Sequence, residues 1–170
     1  MIRIILYMVL TCLSALAAIA QETATIGGIE YHLQNGEATV MKQTATFSGN
    51  VVIPEKVSYN NEEYVVTSLS TSAFSDQNAI TSIQLPNSII EIGARCFSSC
   101  DALATVDLPD NITSLPDYCF SHCKSLNSIT LPNSITSLGR DCFWKCDNLS
   151  SITLPNSITS LGDYCFNVCN

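Results

Sequence analysis

Residues 131–153, LPNSITSLGRDCFWKCDNLSSIT, restate a pattern that has already run through residues 85–107 and 108–130, and residues 154–170 begin it again. Leu85, Leu108, Leu131 and Leu154 mark the period, 23 residues apart. Eight columns are apolar or Cys in every complete copy; in the third they are Leu131, Ile135, Leu138, Cys142, Phe143, Cys146, Leu149 and Ile152. A unit this short cannot fold alone. Ordering its backbone costs about 1–2 kcal/mol per residue, and its apolar columns stay half covered until another copy lies above and below. Such a chain folds by stacking copies, each touching mainly its neighbours.

Within one copy, Leu149, Ile152 and Leu154 read as the inward positions of a strand with Thr153 pointing outward. Pro155 cannot donate to a ladder and closes the strand, and Asn156 and Ser157 make the turn. Ile158 to Leu161 reads as a second short strand on the opposite wall. The Cys-Phe-x-x-Cys run has its apolar positions three to four residues apart, which predicts a helical turn. The column of Gly93, Pro116, Gly139 and Gly162 reads as turn chemistry, since proline cannot take a left-handed φ. A period of about 20–29 residues around an L-x-x-I-x-L core is the pattern of a leucine-rich-repeat solenoid. The expected fold is therefore mostly β, with parallel strands stacked one per 23-residue rung, short helical turns and an N-terminal β-hairpin cap.

The first residues, MIRIILYMVLTCLSALAAIA, combine Arg3, an apolar run and small residues at Ala18 and Ala20. They read as a secretory signal peptide over residues 1–20, with an uncleaved anchor or a lipid-modified Cys12 as rivals. Residues 21–66 read as an N-terminal β cap with an irregular first-rung insertion. There Ile29, Tyr31 and Leu33 alternate, Asn35-Gly36 is a hairpin signal, and residues 58–64 suggest a second hairpin. Residues 67–170 carry the repeats, the last one incomplete. Its apolar columns are expected to favour self-association through an uncapped C-terminal rung.

With the columns aligned, LPNSITSLGRDCFWKC, LPNSITSLGDYCFNVC, LPDNITSLPDYCFSHC, LPNSIIEIGARCFSSC and the opening GNVVIPEKVSYNNEEYVVTSL resemble the BspA-like leucine-rich-repeat family of bacterial cell-surface proteins. The resemblance covers nearly all of the chain after residue 20. It implies a secreted or surface-displayed solenoid that mediates adhesion or binds a protein ligand on a host or neighbouring cell. It carries over no catalytic set. Cys96, Cys119, Cys142 and Cys165 depart from the family, where Ala is commoner, as at Ala73 here.

Seven Lys plus Arg against fifteen Asp plus Glu leave a net charge of −8, which argues against nucleic acid as a partner. The eight cysteines beyond residue 20, from Cys96 to Cys169, suit an exported protein with disulfides. They equally suit two columns of small buried thiols, the reading favoured here because Ala73 and Gln77 stand in those columns. Cys119, His122 and Cys123 could offer three metal ligands, but the repeat itself dictates the cysteine spacing, and no metal or cofactor is expected. Two histidines and no nucleophile motif give no reason to expect an enzyme. Two surfaces remain for a partner. The turn side carries Tyr118, His122, Trp144, Lys145 and Tyr164, aromatic anchors of the kind interfaces use. The alternative is the strand floor, expected to be concave, with Gln84, Thr105, Asp107, Thr130 and Thr153. Asp141 and Lys145, four apart, are candidates to pair with each other. A structural or glycan-contacting envelope component without a protein ligand is the alternative function.

Overall fold

The computed structural model describes residues 21–169, so residues 1–20, and the signal peptide expected there, lie outside the described part. Strand β1 (Glu22–Ile26) turns at Gly27 and Gly28 into β2 (Ile29–Gln34), and β2 turns at Asn35 and Gly36 into β3 (Glu37–Val40). Both residues of each turn have positive φ, the backbone hand that matches strand twist, and Gly and Asn tolerate it. Ile29, Tyr31, Leu33, Ala38 and Val40 are buried, as their alternation requires. After β4 (Ser48–Val52), the expected second hairpin forms from β5 (Lys56–Tyr59) and β6 (Glu62–Leu69) around Asn60 and Asn61.

The rungs build three walls of a β-solenoid. On the first, β4, β7 (Ala79–Gln84) and β9 (Thr105–Asp107) pair in parallel. Further along, the described residues make a single bridge, Thr130 to Thr153. On the second, β6 pairs in parallel with β3 and with β8 (Glu91–Ile92). The wall resumes with β10 (Ser114–Leu115), β11 (Ser137–Leu138) and β12 (Ser160–Leu161), each in register with the same column of the next rung.

The third wall corrects the expectation of helical turns. No helix occurs among the described residues. Arg95, Tyr118, Asp141 and Tyr164 have φ between 50° and 59°, and Ser99, His122, Lys145 and Val168 between 56° and 62°. A left-handed residue at every fourth position breaks a helix, whose residues must all stay right-handed. Each rung instead folds into successive tight turns, such as Ser98 N–H to Arg95 O (3.1 Å) and Cys100 N–H to Phe97 O (3.3 Å). The intervening amides point to the next rung. Arg95 N–H reaches Asp117 O at 3.0 Å, Phe97 reaches Cys119 at 2.9 Å and Ser99 reaches Ser121 at 2.8 Å. Every second donor is thus satisfied between rungs, which a helix could not do.

Inside, Phe74, Phe97, Phe120, Phe143 and Phe166 stack along the axis with centroids 5.2–6.0 Å apart. The eight cysteines flank this stack as free thiols, all buried except the half-buried Cys169. The glycine column has a different cause from the turn chemistry expected of it. Gly93, Gly139 and Gly162 are absent from the positive-φ set, but a Cβ on each would stand 2.3–2.4 Å from a backbone nitrogen of the preceding rung. Their N–H groups meet Leu69 O, Leu115 O and Leu138 O at 2.8 Å. Pro116, the fourth member, has no N–H to give, and β8 and β10 are not paired. The second wall therefore loses its ladder between the rung of residues 85–107 and the next, and the first wall also breaks there, after β9, while the turn wall and the Phe stack run through.

Candidate binding surface

The turn wall displays side chains because its left-handed residues point outward while Cys-Phe points in. Successive rungs place Arg95, Tyr118, Asp141 and Tyr164 in one column and Ser98, Ser121, Trp144 and Asn167 in another. The five turn-side candidates consequently share one wall. His122 meets the Trp144 ring edge-on at 4.6 Å between centroids, and Lys145 Nζ lies 4.6 Å from the Trp144 ring centre on its face. Arg95 sits over Tyr118 at 4.8 Å and Arg140 over Tyr164 at 5.9 Å, attractive arrangements because a ring face is the negative end of its quadrupole. Tyr118, Trp144 and Tyr164 together line a cleft of about 320 Å³, completed by Arg140, Asp141 and Asn167.

Asp141 does not pair with Lys145. Its Oδ2 accepts a 3.0 Å hydrogen bond from Nε of Arg140, and the Arg140 backbone N–H in turn donates to Asp117 Oδ1 at 2.7 Å. Arg140, Asp141 and Asn167 were not singled out from the sequence as binding residues. The signal available was the break in the Tyr118–Asp141–Tyr164 column, where an acid interrupts two tyrosines. His122 does not join Cys119 and Cys123. Its Nδ1 lies 3.0 Å from Ser121 Oγ, whereas both thiols are fully buried. Among the described residues no three His, Cys, Asp or Glu side chains converge on a metal position.

The strand-floor candidates lie on a different wall. Gln84, Thr105, Asp107, Thr130 and Thr153 are all exposed, and their strands carry no aromatic neighbour in the outward columns. A small depression bounded by Asp107, Asp110, Thr130 and Pro132 opens where the first wall loses its ladder. In the last described rung Leu154 and Leu161 are exposed. No helix among the described residues is long and apolar enough to cross a membrane.

Residues 46–170 match the BspA type leucine rich repeat region in six copies. The chain belongs to the BspA-type leucine-rich-repeat family. Solved structures of bacterial leucine-rich-repeat proteins share the fold. A leucine-rich repeat protein from Bacteroides ovatus is 28% identical with a TM-score of 0.71, covering 87% of this chain and 38% of that one. The T. pallidum leucine rich repeat protein is 26% identical with a TM-score of 0.73, covering 88% and 64%. A leucine rich cell surface protein from Faecalibacterium prausnitzii is 25% identical with a TM-score of 0.65, covering 86% and 46%. The chain thus spans less than two thirds of the length of each. No match to it was found among curated proteins. The BspA-type match is to a repeat scaffold and indicates no enzymatic family.

Proposed function

We propose that this BspA-type chain is a secreted or surface-displayed interaction module that mediates adhesion, and that its turn wall makes the contact. The observation that carries this reading is the partly buried Trp144, held between His122 and Lys145 beside two tyrosines in neighbouring rungs. Interface energy concentrates in a few such anchors, while a hydroxyl on a strand floor contributes only about 1 kcal/mol per hydrogen bond. The cell-surface description of the F. prausnitzii relative supports the location, and a protein on a host or neighbouring cell is the expected partner. The acidic balance makes nucleic acid a poor one.

The test is binding of the fluorescently labelled chain to intact bacterial and mammalian cells. Trp144→Ala should weaken binding by about 2 kcal/mol without shifting the melting temperature, and Thr130→Ala should leave it near the parent value. The reverse order would move the site to the strand floor. A chain that binds no cell surface would refute the adhesion reading.

A further inference from the structure

The Tyr118–Asp141–Tyr164 column makes a slot. Three successive rungs stand about 4.8 Å apart, so the two tyrosines flank Asp141, and the Arg140 guanidinium bonded to Asp141 stands over the Tyr164 ring at 5.9 Å. Trp144 and Asn167 border one side and Arg140 enters from the adjoining column. Asp141 is 7% exposed; Oδ2 is held by Arg140, and among the described residues no donor reaches its other oxygen. Among the described residues only the Tyr31 hydroxyl is a buried side-chain polar atom without a partner, so this oxygen of Asp141 stays open to the cleft as an acceptor at its base. The guanidinium of Arg140, whose side chain is 56% exposed, adds donors, and the Asn167 amide provides both kinds.

Arg140 and Asp141 neutralise each other, so the slot favours neither sign strongly. Asp117 and Asp163, which flank Arg140 in its own column, would repel an anion. What fits is a neutral ring with apolar faces and a rim of hydroxyls. Its C–H face would lie on an aromatic ring, and adjacent hydroxyls would bridge the Asp141 acceptor and the Arg140 or Asn167 donors. We propose that this slot binds a neutral saccharide ring. The proposal rests on the reading of the chain as an adhesion module, whose target would then be a glycan on the opposing surface.

Trp144 is the single tryptophan of the chain, so its emission reports on the slot. The full chain is titrated with glucose, galactose, mannose, N-acetylglucosamine and their short neutral oligomers. At least one should change the emission saturably. Tyr164→Ala and Asn167→Ala, both at exposed positions, should weaken that sugar about tenfold or more, and Asp141→Asn should weaken it too. Asn133→Ala, exposed on another face, should not. The proposal is overturned if no sugar gives a saturable change, or if Tyr164→Ala and Asn167→Ala leave the titration unaltered. Cell binding distinguishes the two readings. Binding lost in Trp144→Ala yet indifferent to every free sugar would overturn the saccharide slot and keep adhesion through a protein. A sugar that titrates while no cell is bound would support the slot and remove the adhesion reading.

Discussion

The thiol of Cys100 donates to the carbonyl oxygen of Phe74 one rung earlier, Sγ to O at 3.0 Å. The same bond recurs from Cys123 to Phe97, Cys146 to Phe120 and Cys169 to Phe143 at 3.1–3.2 Å. In the first rung Gln77 holds this column and bonds backward into the cap instead, to Ala45 O and Phe47 N–H at 2.8 Å. This column of cysteines is thus a ladder of weak donors that satisfies carbonyls beside the aromatic stack.

Those thiols should be unreactive in the native protein. Burial pushes Cys100 and Cys146 up from 9.0 to about 12, and the thiolate is the reactive form. Alkylation at neutral pH should label Cys169 first, the half-buried member, and denaturant without reductant should expose the remainder. An unreduced denatured chain with almost no free thiol would mean bridged rungs. The same shifts make stability depend on pH. Above pH 9 these two thiols lose protons in the unfolded chain that they retain in the folded one, so their contribution to stability is level below pH 9 and declines as pH climbs toward 12. Urea midpoints between neutral and alkaline pH should show the decline, and Cys100→Ala should make it shallower.

Gly139→Ala and Gly36→Ala should differ in cause and size. At Gly139 a Cβ would meet the Asp117 backbone nitrogen at 2.4 Å; backbone cannot swing away, so the rungs must separate, at a cost of about 2–3 kcal/mol. Gly36 has open space around it and φ of +78°, so alanine there meets only conformational strain, about 1–2 kcal/mol. Chemical denaturation of both variants measures the gap. Equal losses would mean that close approach is not what the column requires.

The break at Pro116 should be visible in hydrogen exchange. Thr136 N–H is bonded to Thr113 O and Thr159 N–H to Thr136 O, each at 2.8 Å, whereas Thr113 N–H has no backbone acceptor among the described residues. Thr113 should therefore exchange faster than Thr136 despite lying one rung closer to the cap. Protection at Thr113 equal to that at Thr136 would show that the second wall is continuous in solution.

Tyr31→Phe should be neutral or stabilising by up to about 1 kcal/mol. The Tyr31 hydroxyl is buried with no hydrogen-bond partner among the described residues, and its burial pushes the pKa up to about 12. Removing a buried polar group that lacks a partner removes a desolvation cost. A loss of more than about 1 kcal/mol in thermal or urea unfolding would reveal a bond that the hydroxyl makes.

The repeat period was legible in the sequence because burial itself is periodic. A column such as Leu115, Leu138 and Leu161 must face one way in every rung once the rungs stack, so the parallel walls, the hairpins at Asn35-Gly36 and residues 58–64, and the aromatic side with Trp144 between Tyr118 and Tyr164 could all be read without coordinates. What local spacing could not decide was how Cys-Phe-x-x-Cys meets its neighbours. Apolar positions at i, i+1 and i+4 suit a helical turn and a pair of tight turns equally well. The choice falls to amides such as those of Arg95, Phe97 and Ser99, which find acceptors only in the next rung. The same holds for Gly139, needed for the backbone of Asp117 lying against it, and for Asp141, whose partner proved to be Arg140 rather than Lys145. The slot between Tyr118 and Tyr164 exists only after stacking sets residues 46 positions apart on either side of one acid. Periodicity along a chain specifies which residues are buried, and contacts across rungs, which depend on the spacing and hand of the stack, decide the rest.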